Sequence, residues 1–166
     1  MDLARWLRHA WTGPLHLRRA FPEAALAAAE RAVASAESVA AGQIRFAIEA
    51  DLPLRDLWRN RSARERALEV FSMLRVWDTA HNNGVLIYVL LADQCVEIVA
   101  DRGIVQRVTP QEWQAICRTM ETEFRAGRFE QGAVSGIRDA GALLARHFPK
   151  GGAADNELPD APVILR

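Results

Sequence analysis

Asn82-Asn83-Gly84-Val85-Leu86-Ile87-Tyr88-Val89-Leu90-Leu91-Ala92-Asp93-Gln94-Cys95-Val96-Glu97-Ile98-Val99-Ala100-Asp101-Arg102-Gly103-Ile104 decides the fold. Two apolar runs of strand length flank Ala92-Asp93-Gln94, a tight turn, so the segment reads as an antiparallel hairpin. Val85 to Leu91 is apolar on both faces, which predicts a central strand covered by helices on each side. No nucleophile, metal triad or phosphate-cradling loop lies on the hairpin.

Outward from the hairpin, the remaining elements follow from periodicity and caps. Gln43 to Asp51 alternates Ile44, Phe46 and Ile48 with Gln43, Arg45 and Ala47, a one-sided strand pattern. Ser62-Ala63-Arg64-Glu65 is a capping box opening a helix to about Ala80, with Ala67, Val70, Phe71, Leu74 and Trp77 on one face. Thr109-Pro110-Gln111-Glu112 is a second capping box, and Gly127 ends its helix. Pro22 opens an Ala-rich helix to Ala41, and Phe129 to Phe148 forms the last one. In that last helix Gly132 and Gly136 lie four apart, a spacing suited to close helix packing. Trp58, in the connection after the first strand, is expected to plug a gap in the core. The prediction is an α/β domain: a small mixed sheet of three strands, or four if Val105 to Val108 pairs, sandwiched between about four helices.

The organisation expected is a basic, Trp-containing arm over 1–20, the α/β domain over 21–149, and an extended, flexible tail over 150–166. Lys plus Arg and Asp plus Glu balance at 21 each, which gives no electrostatic footprint for nucleic acid. The arm is the exception. It carries Arg5, Arg8, His9, His16, Arg18 and Arg19 against Asp2 alone, with Trp6 and Trp11 interleaved. Arg5, Trp6, Arg8, Trp11, Arg18 and Arg19 are therefore candidate contacts to a membrane surface or a partner, and the alternative is an arm packed on the domain. No signal peptide or apolar run of membrane-spanning length is visible, so a cytoplasmic protein, peripheral to a membrane at most, is expected.

These residues resemble the TPM-domain family, which includes thylakoid-lumen phosphatase-like and photosystem II repair proteins and bacterial membrane-anchored relatives. The resemblance runs over about residues 21 to 148. It is carried by Gly42-Gln43-Ile44-Arg45-Phe46, Asn83-Gly84-Val85-Leu86-Ile87, Val96 to Ile104, and Phe124-Arg125-Ala126-Gly127-Arg128-Phe129. It implies a small mixed sheet between helices, and links to acid phosphatase activity, divalent-cation binding and membrane-protein maintenance. The signal peptide and membrane anchor of many relatives have no counterpart here, which departs from a periplasmic or lumenal placement.

Chemistry is confined to acidic and amide groups near strand ends. Asp78, Asn82 and Asn83 precede the second strand and Asp101 follows the third, so the hairpin brings them to one sheet end. Glu49 and Asp51 end the first strand, and a parallel first strand would place them near Asp93 at the other end. Either partial oxygen cluster suits calcium or magnesium; turn formation by the same side chains is the structural alternative. His81, beside Asn82, is a further site candidate. No Cys-x5-Arg loop or Asp-x-Asp pair is present, and Cys95 and Cys117 sit inside a strand and a helix, where no thiol is activated. The leading expectation is a binding or assembly-support domain that meets a protein partner, such as a membrane protein, with weak divalent-cation binding. A metal-dependent phosphatase and a peripheral membrane protein are the alternatives.

Overall fold

The computed structural model describes residues 3–151 and 156–165. In chain order these form α1 (Leu3–Trp11), α2 (Pro14–Ala20), α3 (Glu23–Val39), β1 (Gln43–Glu49), α4 (Leu54–Trp58), α5 (Ala63–Met73), β2 (Gly84–Leu90), β3 (Cys95–Ala100), α6 (Arg102–Val105), α7 (Pro110–Arg125), α8 (Phe129–His147) and β4 (Val163–Leu165). The sheet order is β3-β2-β1-β4. β1 runs parallel to both β2 and β4, and β2–β3 is the antiparallel hairpin, with Val85 opposite Ala100 and Leu90 opposite Cys95.

Each sheet face has its own core, as the doubly apolar Val85–Leu90 run requires. Ile44, Phe46, Ile48, Val85, Ile87 and Val89 pack with residues of α3, α7 and α8. Ala47, Leu86, Tyr88 and Leu90 pack on the opposite face with Leu57, Ala67 and Val70 of α4 and α5. β1 is thus covered on both sides rather than one: Gln43, Ala47 and Glu49 are all buried. α7 and α8 approach closely at Gly136, where a Cβ would overlap the side chain of Met120.

Four expectations need correction. Val105 to Val108 is not the fourth strand, because Asp101 caps a helix start immediately after β3 and Val105 closes that helix. The fourth strand comes from the segment expected to be a flexible tail. Val163–Leu165 pairs with Ala47–Glu49, Leu158 is buried, and Gln43 Oε1 accepts the backbone N–H groups of Glu157 (2.8 Å) and Leu158 (3.0 Å). Residues 152–155 and 166 of that segment lie outside the described ones.

The capping box at Ser62 and Glu65 forms, but its helix ends at Met73 rather than Ala80. Arg75 adopts φ 53°, and the N–H groups of Arg75 and Val76 return to the carbonyls of Ser72 and Phe71. That is a left-handed helix terminus with Arg where glycine is usual. Trp77 consequently lies outside the helix and is exposed, as is Trp58, which packs edge-on against Trp6 (5.4 Å between ring centres) instead of filling the core. The basic arm is two helices laid against the domain, with Leu17 and Ala20 in the core.

β3 is a sheet edge, and its outward backbone groups are taken up by side chains. Arg64 donates to the Ile98 carbonyl (2.6 Å) and Glu121 accepts the Val96 N–H (3.1 Å), which blunts the edge against another strand. Among the described residues no helix is long and apolar enough to cross a membrane.

Candidate functional site

The loops before β2 and after β3 meet, as the antiparallel hairpin demands. Beyond the last ladder pair, Val85 with Ala100, the Asp101 N–H donates to the Gly84 carbonyl (2.9 Å) and the Gly103 N–H to the Asn82 carbonyl (3.1 Å). Arg102 Nε donates to Asn82 Oδ1 (2.9 Å). A Cβ at Gly103 would lie 2.6 Å from the Asn82 carbonyl oxygen and 2.9 Å from that of His81, so only glycine lets the strands' ends close this far. Asn82 itself is at φ 52°, a region where Asn is among the tolerated residues.

Asn83 and Asp101 flank Gly84 and are both buried. Asn83 donates its side-chain amide to the Ala41 carbonyl and its N–H to Thr79 Oγ1 (3.0 Å). Asp101 Oδ1 accepts the Arg102 N–H (2.7 Å). The second oxygens, Asn83 Oδ1 and Asp101 Oδ2, have no partner. A buried acceptor without a donor costs about 1–3 kcal/mol. Asp78 and His81 are exposed on the turn between α5 and β2.

Both oxygens are hard donors. A carboxylate oxygen and an amide oxygen are ligand types that calcium and magnesium take. Among the described residues no three His, Cys, Asp or Glu side chains stand together.

At the opposite sheet end the second oxygen cluster is already occupied by protein groups. Glu49 is buried and accepts from Arg66 Nε (2.9 Å), Arg66 Nη2 (2.6 Å) and the Tyr88 hydroxyl (2.5 Å). Burial first, and then the Glu49 carboxylate, push the Tyr88 phenol upward; the bonds to Glu49 also hold the Arg66 guanidinium charged. Asp93 receives Arg5 Nη2 (2.8 Å) and His9 Nε2 (3.1 Å). Burial alone would raise its carboxyl, but the His9 and Arg5 hydrogen bonds overrule that and hold it at about 2. The Leu52 N–H donates to His9 Nδ1 (3.0 Å), which assigns the proton to Nε2 and points it at Asp93. Asp51 is exposed. Arg66, Tyr88 and His9 were not among the predicted site residues. A lone tyrosine in an apolar strand and an arginine beside Ala67 on the inward stripe were the available signals.

Of the arm residues, Arg5 is consumed by Asp93 and Trp6 is half-buried, whereas Arg8, Trp11, Arg18 and Arg19 are exposed. A groove of about 470 Å³ beside β3, lined by Arg64, Glu97, Trp113 and Cys117, carries no activated nucleophile. Burial, then the carboxylates of Glu97 and Glu121, push both the Cys95 and Cys117 thiols up to about 12.

Comparison with known proteins places this geometry. A family model described as the TPM domain matches residues 18–143. Among solved structures, the NMR structure of BA42 protein from the psychrophilic bacterium Bizionia argentinensis superposes with a TM-score of 0.71 at 32% identity. It covers 85% of this chain and 92% of that one. No curated protein matches. The family match spans most of the chain and includes the hairpin and both of its flanking loops, so this chain belongs to the TPM-domain family.

Proposed function

We propose that this TPM domain is a binding or assembly-support module whose hairpin end takes up a divalent cation weakly, and which acts through contacts with a protein partner at or near a bacterial membrane. The observation that carries the cation reading is the pair of buried, partnerless oxygens, Asn83 Oδ1 and Asp101 Oδ2. A calcium or magnesium ion held by Asp101 would satisfy its partnerless oxygen and offset the carboxylate charge. Binding to the folded state alone raises stability with cation concentration. The wild-type melting temperature should therefore climb with millimolar calcium or magnesium, and Asp101→Asn should abolish the climb. An equal climb in that variant assigns the cation effect to another place.

Metal-dependent phosphoryl hydrolysis at the same end is the second reading. It is favoured by Arg102, whose exposed guanidinium stands beside Asn82, where a phosphoryl oxygen would need a cationic donor. Asp101→Ala should then abolish turnover of a simple phosphomonoester while the fold persists. Retained turnover sinks the assignment.

A further inference from the structure

Helix α1 is mounted with its polar side inward. A surface helix ordinarily buries its apolar stripe and leaves charge in water. Here Arg5 and His9, on the side turned to the domain, are tied to Asp93. Leu3, Leu7 and Trp11, at steps of four along the other side, are 69%, 53% and 83% exposed. The row continues into Leu15 at the start of α2 and laterally into Leu54 and Trp58 of α4, all mostly exposed. α1 and α4 are joined by the Trp6–Trp58 contact, and a groove of about 490 Å³ lined by Trp6, Ala10, Leu54 and Leu57 runs between them. The fold itself does not require this row to be apolar, since none of its members reaches the core.

Its surroundings are mainly basic, with Asp51 at the groove the acidic exception. Residues 3–20 contain no acidic side chain and expose Arg8, His16, Arg18 and Arg19 on the same two helices as the row, Arg8 also lying 3.8 Å from Asp93. Leucine and tryptophan side chains with a cationic fringe suit the boundary between headgroups and acyl chains, where apolar area and attraction to anionic lipid add.

We infer that the α1–α2–α4 face is a docking surface for an anionic lipid bilayer, presented with α1 still latched to the domain through Asp93. The domain supplies the polar backing that water supplies to an ordinary interfacial helix. The inference does not depend on the hairpin-end cation site, and its failure leaves that site untouched.

The test is co-sedimentation of the full chain with vesicles of phosphatidylglycerol in phosphatidylcholine, and with phosphatidylcholine alone, at low and high salt. Wild type should bind the anionic vesicles at low salt and release at high salt. Arg18→Gln with Arg19→Gln should weaken binding roughly 30-fold, at about fivefold per charge. Leu7→Glu should weaken it about tenfold or more. Leu54→Glu should weaken it as well, because a latched α1 brings α4 to the same surface; an arm that detached to bind would be indifferent to Leu54. Circular dichroism and melting temperature of each variant establish that it is folded. No low-salt binding by wild type overturns the inference, as does binding untouched by all three changes. Concentration-dependent dimerisation abolished by Leu7→Glu, with no vesicle binding, would assign the face to a second copy and equally overturn the lipid occupant.

Discussion

Replacing Glu49 with glutamine is the sharpest probe of how the sheet's second face is held. The Glu49 carboxylate is 1% exposed and accepts three hydrogen bonds, two from Arg66 and one from Tyr88. Arg66 keeps a second, partly exposed partner in Glu69 (2.7 Å), so its charge is not wholly abandoned when Glu49 is neutralised. Breaking a buried ion pair from one side costs about 3–5 kcal/mol, and the surviving Glu69 contact argues for the lower part of that range. We expect Glu49→Gln to lose about 3 kcal/mol by urea denaturation, roughly 6–12 °C in melting temperature for a chain of this length. Tyr88→Phe removes one donor and leaves the ion pair intact, and should lose about 1.5–2 kcal/mol. The double variant should lose less than the sum by at least about 0.5 kcal/mol, because both changes strike one network. A Glu49→Gln loss under about 1 kcal/mol, or strict additivity with Tyr88→Phe, would refute this account and return Glu49 to the pool of free carboxylates.

Two further perturbations follow from the charged groups. Asp93→Asn should release α1. The fall of its carboxyl from 3.8 to about 2 corresponds to about 2 kcal/mol of docking, present above the unfolded value and lost as pH drops through 2. Trypsin should then cut after Arg5 and Arg8 much faster than in wild type, and unchanged cutting rates would show that the latch contributes nothing. Glu37 has the opposite sign. Burial, opposed by the Ile44 N–H (2.6 Å), raises its carboxyl from 4.5 to about 7. The stability held by its neutral form is fully present below pH 4.5 and lost as pH rises through 7. Linkage caps the loss at about 3 kcal/mol, and partial solvent access reduces it to about 1–2. Glu37→Gln should therefore be more stable than wild type at pH 8 and not at pH 4; a variant that loses stability equally at both places that carboxylate's cost elsewhere.

The hairpin was legible because every residue from Val85 to Leu90 votes the same way, and the capping boxes at Ser62 and Thr109 because side chain and backbone satisfy each other locally. The end of α5 was not legible, since Arg75 takes the left-handed position that glycine usually marks. β4 was hidden by its three-residue length and lack of period, and it is recruited by pairing with β1 and by Arg45 and Gln43, all far away in the chain. α1 escaped a reading from burial because its apolar side faces outward.

At the candidate site, the meeting of the Asn82–Gly84 and Asp101–Gly103 segments follows from strand pairing alone. The capture of Glu49 by Arg66 and Tyr88, 17 and 39 residues away, and of Asp93 by Arg5 and His9, does not. Local pattern shows which residues lie at a strand end; which of their oxygens remain free is decided by the packing of distant elements.

The central claim is that the two partnerless oxygens at the hairpin end hold a cation, and amide NMR during a calcium and magnesium titration tests it most directly. The account predicts saturable shifts confined to Asp78 to Gly84 and Asp101 to Gly103, with millimolar midpoints and their loss in Asp101→Asn. Spectra that stay flat through millimolar metal, or shifts centred instead on Glu49, Asp51 and Asp93, would contradict it.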